Sequence, residues 1–332
     1  MTSSRLGVQL GVAAIAASFF LLPTPAAAET FACDEAVESG QIWASELDEV
    51  ANCTDLGDLI IRDDASGVGA VLPERGTSVT YSATSAEPGV EVPEFTVAQS
   101  EDGEIATLSM THDAVEIQGS PSVAAEFSLA ENPVFDPVVT PLATSPKCDS
   151  YAYSISNERW LSTAKWWYKT PSFGGQARVA GAFTAMADGI GACGQNKPNS
   201  AAHAYQGTTS TSANINDSLC LANDLKNVLD GGPLSSGTLA GTCTWRTSGQ
   251  IINADIRIDT SSRSWYTGSS VTGCSGAYDL QGVMTHEAGH FFGLNHVALA
   301  TQQVMMPESP TCLTSQRKLG NGDLAGMKAR YP

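Results

Sequence analysis

Three of the five histidines in this 332-residue chain fall inside twelve residues, THEAGHFFGLNH (285–296), and no other stretch restricts the fold so tightly. Taken as a helix, LQGVMTHEAGHFFGLNH (280–296) has Asp279 placed to cap it. His286 and His290, four apart, then lie one turn from each other on one face. Two imidazoles so placed can share one metal ion. Glu287 projects beside that face, where it can take a proton from a metal-activated water without ligating the metal itself. Gly293 can adopt the left-handed conformation that ends a helix and turns the chain sharply. That turn brings His296 back as a third nitrogen donor. Three neutral donors with a fourth position open are the arrangement of a catalytic zinc, not of a closed structural one. A lone histidine is ordinarily a satisfied structural residue; three at this spacing around a glutamate are not.

The N-terminus sets the compartment. Arg5 precedes the apolar run GVQLGVAAIAASFFLL (7–22), and Ala26 and Ala28 form an A-x-A signal, so residues 1–28 read as a signal peptide cut before Glu29. The alternative is an uncleaved anchor, against which stand the short apolar core and the helix-breaking Pro23 and Pro25. No other run is apolar for long enough to cross a bilayer, so the mature protein is expected to be secreted and extracellular, without stable membrane insertion. The eight cysteines agree with export: none forms a CxxC pair, and an even number in an exported chain reads as disulfides. Cys33 and Cys53 stand apart and are expected to pair with each other. The other six leave their connectivity open.

Charge divides the chain in two. Between Glu29 and Ser145 there are 23 acidic residues against Arg62 and Arg75, a net −21; from Pro146 onward 12 acids meet 14 bases, a net +2. Such asymmetry marks two units with different jobs. Neither half carries a basic stripe, which argues against nucleic acid as a partner. Residues 34–53 show apolar positions at helical spacing (Val37, Ile42, Leu47, Val50) and read as an amphipathic helix. TSVTYSAT, EFTVAQS, IATLSMTH and AVEIQG are β-branched runs between turn signals, and they predict a small β-rich unit. The layout expected is therefore an acidic N-terminal unit over 29–130, a Pro-rich linker over 131–146, and a second domain over 147–332. In that domain KWWYKT (165–170) reads as a strand, 176–194 as a helix and IINADIRIDT (251–260) as a half-buried strand, while the polar stretch 195–218 resists assignment.

The HExxHxxGxxH pattern resembles that of the metzincin zinc metalloproteases. QVMMPES (303–309) resembles their methionine-bearing turn, with Met305 in the place of the structural methionine. Within the metzincins the matrixins are most similar: GDLAGMKARYP (322–332) resembles their closing helix, and NADIRI (253–258) their edge strand, which pairs with extended substrate. The resemblance covers about residues 165–332. Three departures accompany it. Val297 stands where matrixins usually have serine, and no histidine lies between Asp259 and Asp279 to build a second zinc site. The upstream region also lacks the PRCGxPD latency motif. His203, the one spare histidine of this half, is expected to be structural, and no acidic loop has a clear calcium pattern, so calcium is possible but unsupported.

The resemblance implies an α+β fold: a metzincin-like (zincin) catalytic domain with a twisted mixed sheet, an active-site helix and a Met-turn, preceded by the β-rich acidic unit. It implies a secreted zinc-dependent endopeptidase acting on protein or peptide substrates. Zn²⁺ would be held by His286, His290 and His296, with Glu287 as general base to a zinc-activated water. Extended substrate would add to the strand around Asp255–Ile258. The other functional class is a secreted binding or adhesive protein with a vestigial metalloprotease domain. The acidic unit is either a propeptide, making the chain a zymogen, or a retained module.

Overall fold

A computed structural model of the chain describes residues 33, 36, 38–51, 53, 56–111, 115–126 and 146–332. The stretch expected to be a signal peptide (1–28) and the Pro-rich segment up to residue 145 lie outside the described residues.

A nine-stranded sheet runs through the molecule. Its strands in chain order are β1 (Thr77–Ser85), β2 (Glu94–Gln99), β3 (Ile105–Met110), β4 (Val115–Gly119), β5 (Ala164–Tyr168), β6 (His203–Thr208), β7 (Val228–Gly232), β8 (Thr238–Thr247) and β9 (Gln250–Asp259). Their spatial order is β6-β5-β7-β9-β8-β1-β2-β3-β4. The first four are mutually parallel; β8 runs antiparallel to β9, and every later neighbour is antiparallel too. The result is a mixed α+β architecture with a twisted mixed sheet. All four strands expected in the acidic region are present, and they continue the sheet of the C-terminal half through the β1–β8 pairing.

Three helices pack beside the C-terminal part: α1 (Gln176–Ala187), α2 (Leu280–Phe291) and α3 (Asn321–Arg330). Trp166, Phe183, Met186, Ile256, Ile258, Val283, Phe291 and Leu324 form the core between them and the sheet. Side chains alternate along a strand, so Val79, Tyr81 and Ala83 of β1 point away from α2. They join a second core with Phe95, Val97, Val228, Cys243 and Trp245, closed by Ile42, Leu47, Val50 and Ile61. A small sheet stitches the same regions together: Gly69–Val71 pairs in parallel with Leu219–Cys220.

Several sequence expectations change. The helix over 34–53 is interrupted: Gly40 takes φ +68°, and Gln41–Trp43 becomes a strand pairing with Ile60–Arg62. Leu47–Val50 is helical again, and Ile42, Leu47 and Val50 remain buried. Helix α1 stops at Ala187, where Asp188 caps it and Gly189 turns at φ +60°. The unassigned polar stretch contains β6. The strand IINADIRIDT is not an edge: β9 lies between β7 and β8, buried on both faces. Two of its polar positions, Asp255 and Arg257, are paired internally. Asp255 accepts from the backbone of Val228 (2.6 Å) and Asn214 (2.5 Å), and Arg257 forms a 2.8 Å ion pair with Asp230. The antiparallel strand bordering the C-terminal half is β8. The cysteines pair as Cys33–Cys53, Cys148–Cys193, Cys220–Cys243 and Cys274–Cys312.

Candidate metal centre and active site

Helix α2 begins where Asp279 accepts a hydrogen bond from the Gly282 N–H (2.7 Å), with Arg317 on the same carboxylate (2.9 Å). It ends at Phe292, and Gly293 turns the chain at φ +89°. A side chain there would be doubly excluded, because a Cβ would lie 2.8 Å from Ser156 Oγ and 3.0 Å from the Glu158 carbonyl. After the turn, Leu294–Asn295 pairs with Ser154–Ile155, and His296 returns to the helix.

The three imidazoles converge through Nε2. The separations are 2.9 Å for His286–His290, 3.2 Å for His286–His296 and 3.1 Å for His290–His296. Their opposite nitrogens explain why. His286 Nδ1 donates to the Val304 carbonyl (2.8 Å) and His290 Nδ1 to the Leu294 carbonyl (2.9 Å). A carbonyl only accepts, so each Nδ1 carries the proton and each Nε2 presents a lone pair. Burial pushes the His286 ring down to about 4 and the His290 ring well below its ordinary value, which keeps both neutral. Lone pairs facing one another at this range repel unless a cation lies between them. Zinc–nitrogen bonds of about 2.0–2.1 Å in tetrahedral geometry put donors about 3.3 Å apart, within a few tenths of an ångström of these distances. The donor set therefore fits a zinc ion. Among the described residues these histidines form the one group of three or more metal-ligating side chains with donors all within 4.8 Å.

The support beneath comes from the Met-turn. Met305 lies against α2 at Gly289, where a Cβ would stand 2.2 Å from its sulfur, so the glycine inside HEAGH makes room for the methionine. Asp323 of α3 accepts from the backbone of Val304 (2.8 Å), Met305 (3.2 Å) and Gly320 (2.7 Å). Gln303 accepts from the Gly322 and Asp323 N–H groups (3.1 and 3.2 Å), while its amide donates to the Lys147 and Ser150 carbonyls, both at 3.1 Å.

Glu287 is fully buried beside the histidines, and both carboxylate oxygens are engaged. Oε1 accepts from Thr84 Oγ1 (2.5 Å) and Oε2 from Thr242 Oγ1 (2.6 Å). Burial pushes its carboxyl up to about 7, and the two hydroxyls oppose that rise. A second buried carboxyl, Glu94 of β2, accepts from the His296 N–H (3.0 Å) and lies 3.4 Å from His290 Nδ1 and 3.8 Å from His296 Nδ1. Burial pushes it up to about 8.

The three histidines of the motif meet at one place, and Glu287, next in the chain to His286, is held by Thr84 and Thr242. His203 does not join them: on β6, its Nδ1 accepts from Trp166 Nε1 (3.2 Å) and its ring lies against Phe183. Thr84, Glu94, Thr242, Gly289 and Asp323 escaped sequence reasoning as site residues. Gly289 and Asp323 lie inside quoted motifs, so a signal existed for those two. The threonines and Glu94 belong to strands whose pairing no local pattern reveals.

The matrixin family model matches residues 223–332, the stretch from just before β7 to the end of α3. This supports a matrixin-like metzincin catalytic domain and, with it, the zinc metalloprotease class. Neither the comparison with curated proteins nor that with solved structures finds a match.

Proposed function

We propose that this chain, carrying a matrixin-like metzincin domain, is a secreted zinc-dependent endopeptidase. The observation that supports it most is the convergence of three histidine Nε2 atoms, two of them held unprotonated, on the helix that carries a buried glutamate. Zn²⁺ is the ion proposed for His286, His290 and His296; when bound it supplies Lewis acidity to the scissile carbonyl and to the attacking water. The protein's own residues do the rest. The backbone carbonyls of Val304 and Leu294 hold two ligand rings in the ligating tautomer. Glu287 receives the water's proton and returns it to the leaving amine, and Thr242 orients the carboxylate from β8. The apolar wall around α2 keeps bulk water away from the reacting bond.

In the same reading residues 1–28 are a signal peptide, 29–130 a propeptide and 131–146 the segment cut on maturation. The four disulfides fit an exported chain, and no helix among the described residues is long and apolar enough to cross a membrane. N-terminal sequencing of protein from culture medium tests this layout: a start near Lys147 is expected, and a start at Glu29 would count against it. For the chemistry, Glu287→Ala should keep stoichiometric zinc and lower cleavage of denatured casein by at least about a hundredfold. Full activity in that variant would end the mechanism.

A further inference from the structure

Within the C-terminal half β8 is the outermost strand, and its outer side is filled by the chain's own β1. The ladder runs antiparallel from Ser78 opposite Arg246 to Ser85 opposite Thr238. At its far end β1 is held on the other side as well. The Ser85 N–H donates to the Pro307 carbonyl (2.8 Å), and the Ser85 carbonyl accepts from the Ser309 N–H (3.1 Å), a parallel bridge centred on Glu308. Just beyond, the Gly89 N–H donates to the Glu308 carboxylate (2.6 Å). Thr84 lies at the crossing and places its hydroxyl on Glu287. One extended segment, bonded on both sides through its backbone, thus passes directly over the general base.

We propose that residues 80–85 are a built-in occupant of the peptide-binding slot, lying antiparallel to β8 and parallel to 307–309 where substrate would lie, and so keep the site closed. This rests on the endopeptidase reading above and gives it a means of regulation. The bonds to β8 and to 307–309 are largely backbone to backbone, so any extended peptide could supply them in exchange. A strand that lies there uncut must withhold the attacking water. Thr84 does so, because its hydroxyl takes the carboxylate oxygen that would otherwise receive a water proton. Tyr81 and Phe95, both fully buried, anchor the occupant in the second core, so it does not leave by simple fraying.

A fluorescent peptide hydroxamate, an extended peptide ending in a metal-chelating group, reads the slot directly when titrated into zinc-loaded full chain. Ser85→Pro removes the N–H given to Pro307 and should bind this probe at least about tenfold more tightly than wild type. Glu308→Ala, which removes the tie to Gly89, should gain about threefold. Zinc affinity by chelator competition should stay within about twofold across the set. Equal probe affinity in wild type and a folded variant overturns the proposal; if Ser85→Pro does not fold, Glu308→Ala decides. Peptidase assays separate this from the endopeptidase reading. Tighter probe binding without cleavage by any variant keeps the occluding strand and removes the activity, whereas equal cleavage by wild type and variants removes the occluding strand and keeps the activity.

Discussion

Helix α2 is gripped from two directions by different kinds of bond. On the Met-turn side, Asp323 and Gln303 place buried side chains on the backbone of residues 304, 305, 320, 322 and 323. Each such bond depends on one side chain at one position, and its loss strands a buried donor. On the N-terminal side, β1 meets β8 mainly through a backbone ladder, which is indifferent to side-chain identity. The first grip is particular to these residues and permanent. The second can be exchanged for another strand, provided the apolar anchors of β1 are released. Thr84 and Glu94 are exceptions: they belong to the exchangeable region, yet their side chains hydrogen-bond Glu287 and the His296 backbone.

The contrast can be broken most severely at Asp323. Asp323→Ala leaves three buried N–H groups without their acceptor and should cost about 3–5 kcal/mol in urea unfolding. A loss under about 1 kcal/mol would show that the Met-turn holds itself. Gly289→Ala follows, at about 1–3 kcal/mol, because the new methyl displaces the Met305 sulfur; better helix propensity offsets up to about 1 kcal/mol of this. Zinc affinity should fall with it, and unchanged affinity would mean that Met305 does not position the ligands. On the other side, Glu94→Ala should weaken zinc about tenfold in chelator competition, as removal of a ligand's outer partner does. No change would make the N-terminal grip purely a cover.

A smaller effect marks the far edge of the sheet. Burial holds the His203 ring below its ordinary value of 6.5 in the folded chain. The unfolded chain therefore takes up a proton that the folded chain refuses, so stability falls as pH drops through 6.5 toward the lower folded value. His203→Gln should flatten that acid slope in denaturation curves between pH 4 and 6.5, relative to wild type. An unaltered slope would show that His203 does not carry the acid sensitivity.

What sequence could disclose followed from short range. The i, i+4 histidines share a helical face by geometry alone, and Gly293 announces the turn that returns His296. The four N-terminal strands were legible for the same reason, since β-branched alternation is a property of a few adjacent residues. Edge status was not. IINADIRIDT has the alternation of a half-buried strand, yet its Asp255 and Arg257 are satisfied inside the fold, by the backbone of Asn214 and Val228 and by Asp230. Those partners arrive only when the chain closes.

The sequence by itself thus determined that three histidines share one short stretch around a glutamate, spaced so that their rings can converge, and that an acidic β-rich stretch precedes it. Only the tertiary structure decided which strand borders the site and what lies against it. Thr84 and Glu287 are separated by 203 positions. Thr84 is carried there by the β1–β8 ladder, made of N–H and C=O groups that every residue but proline carries alike. A bond that reads no side chain leaves no trace in sequence, which is why the strand over the active site shows itself only in the fold.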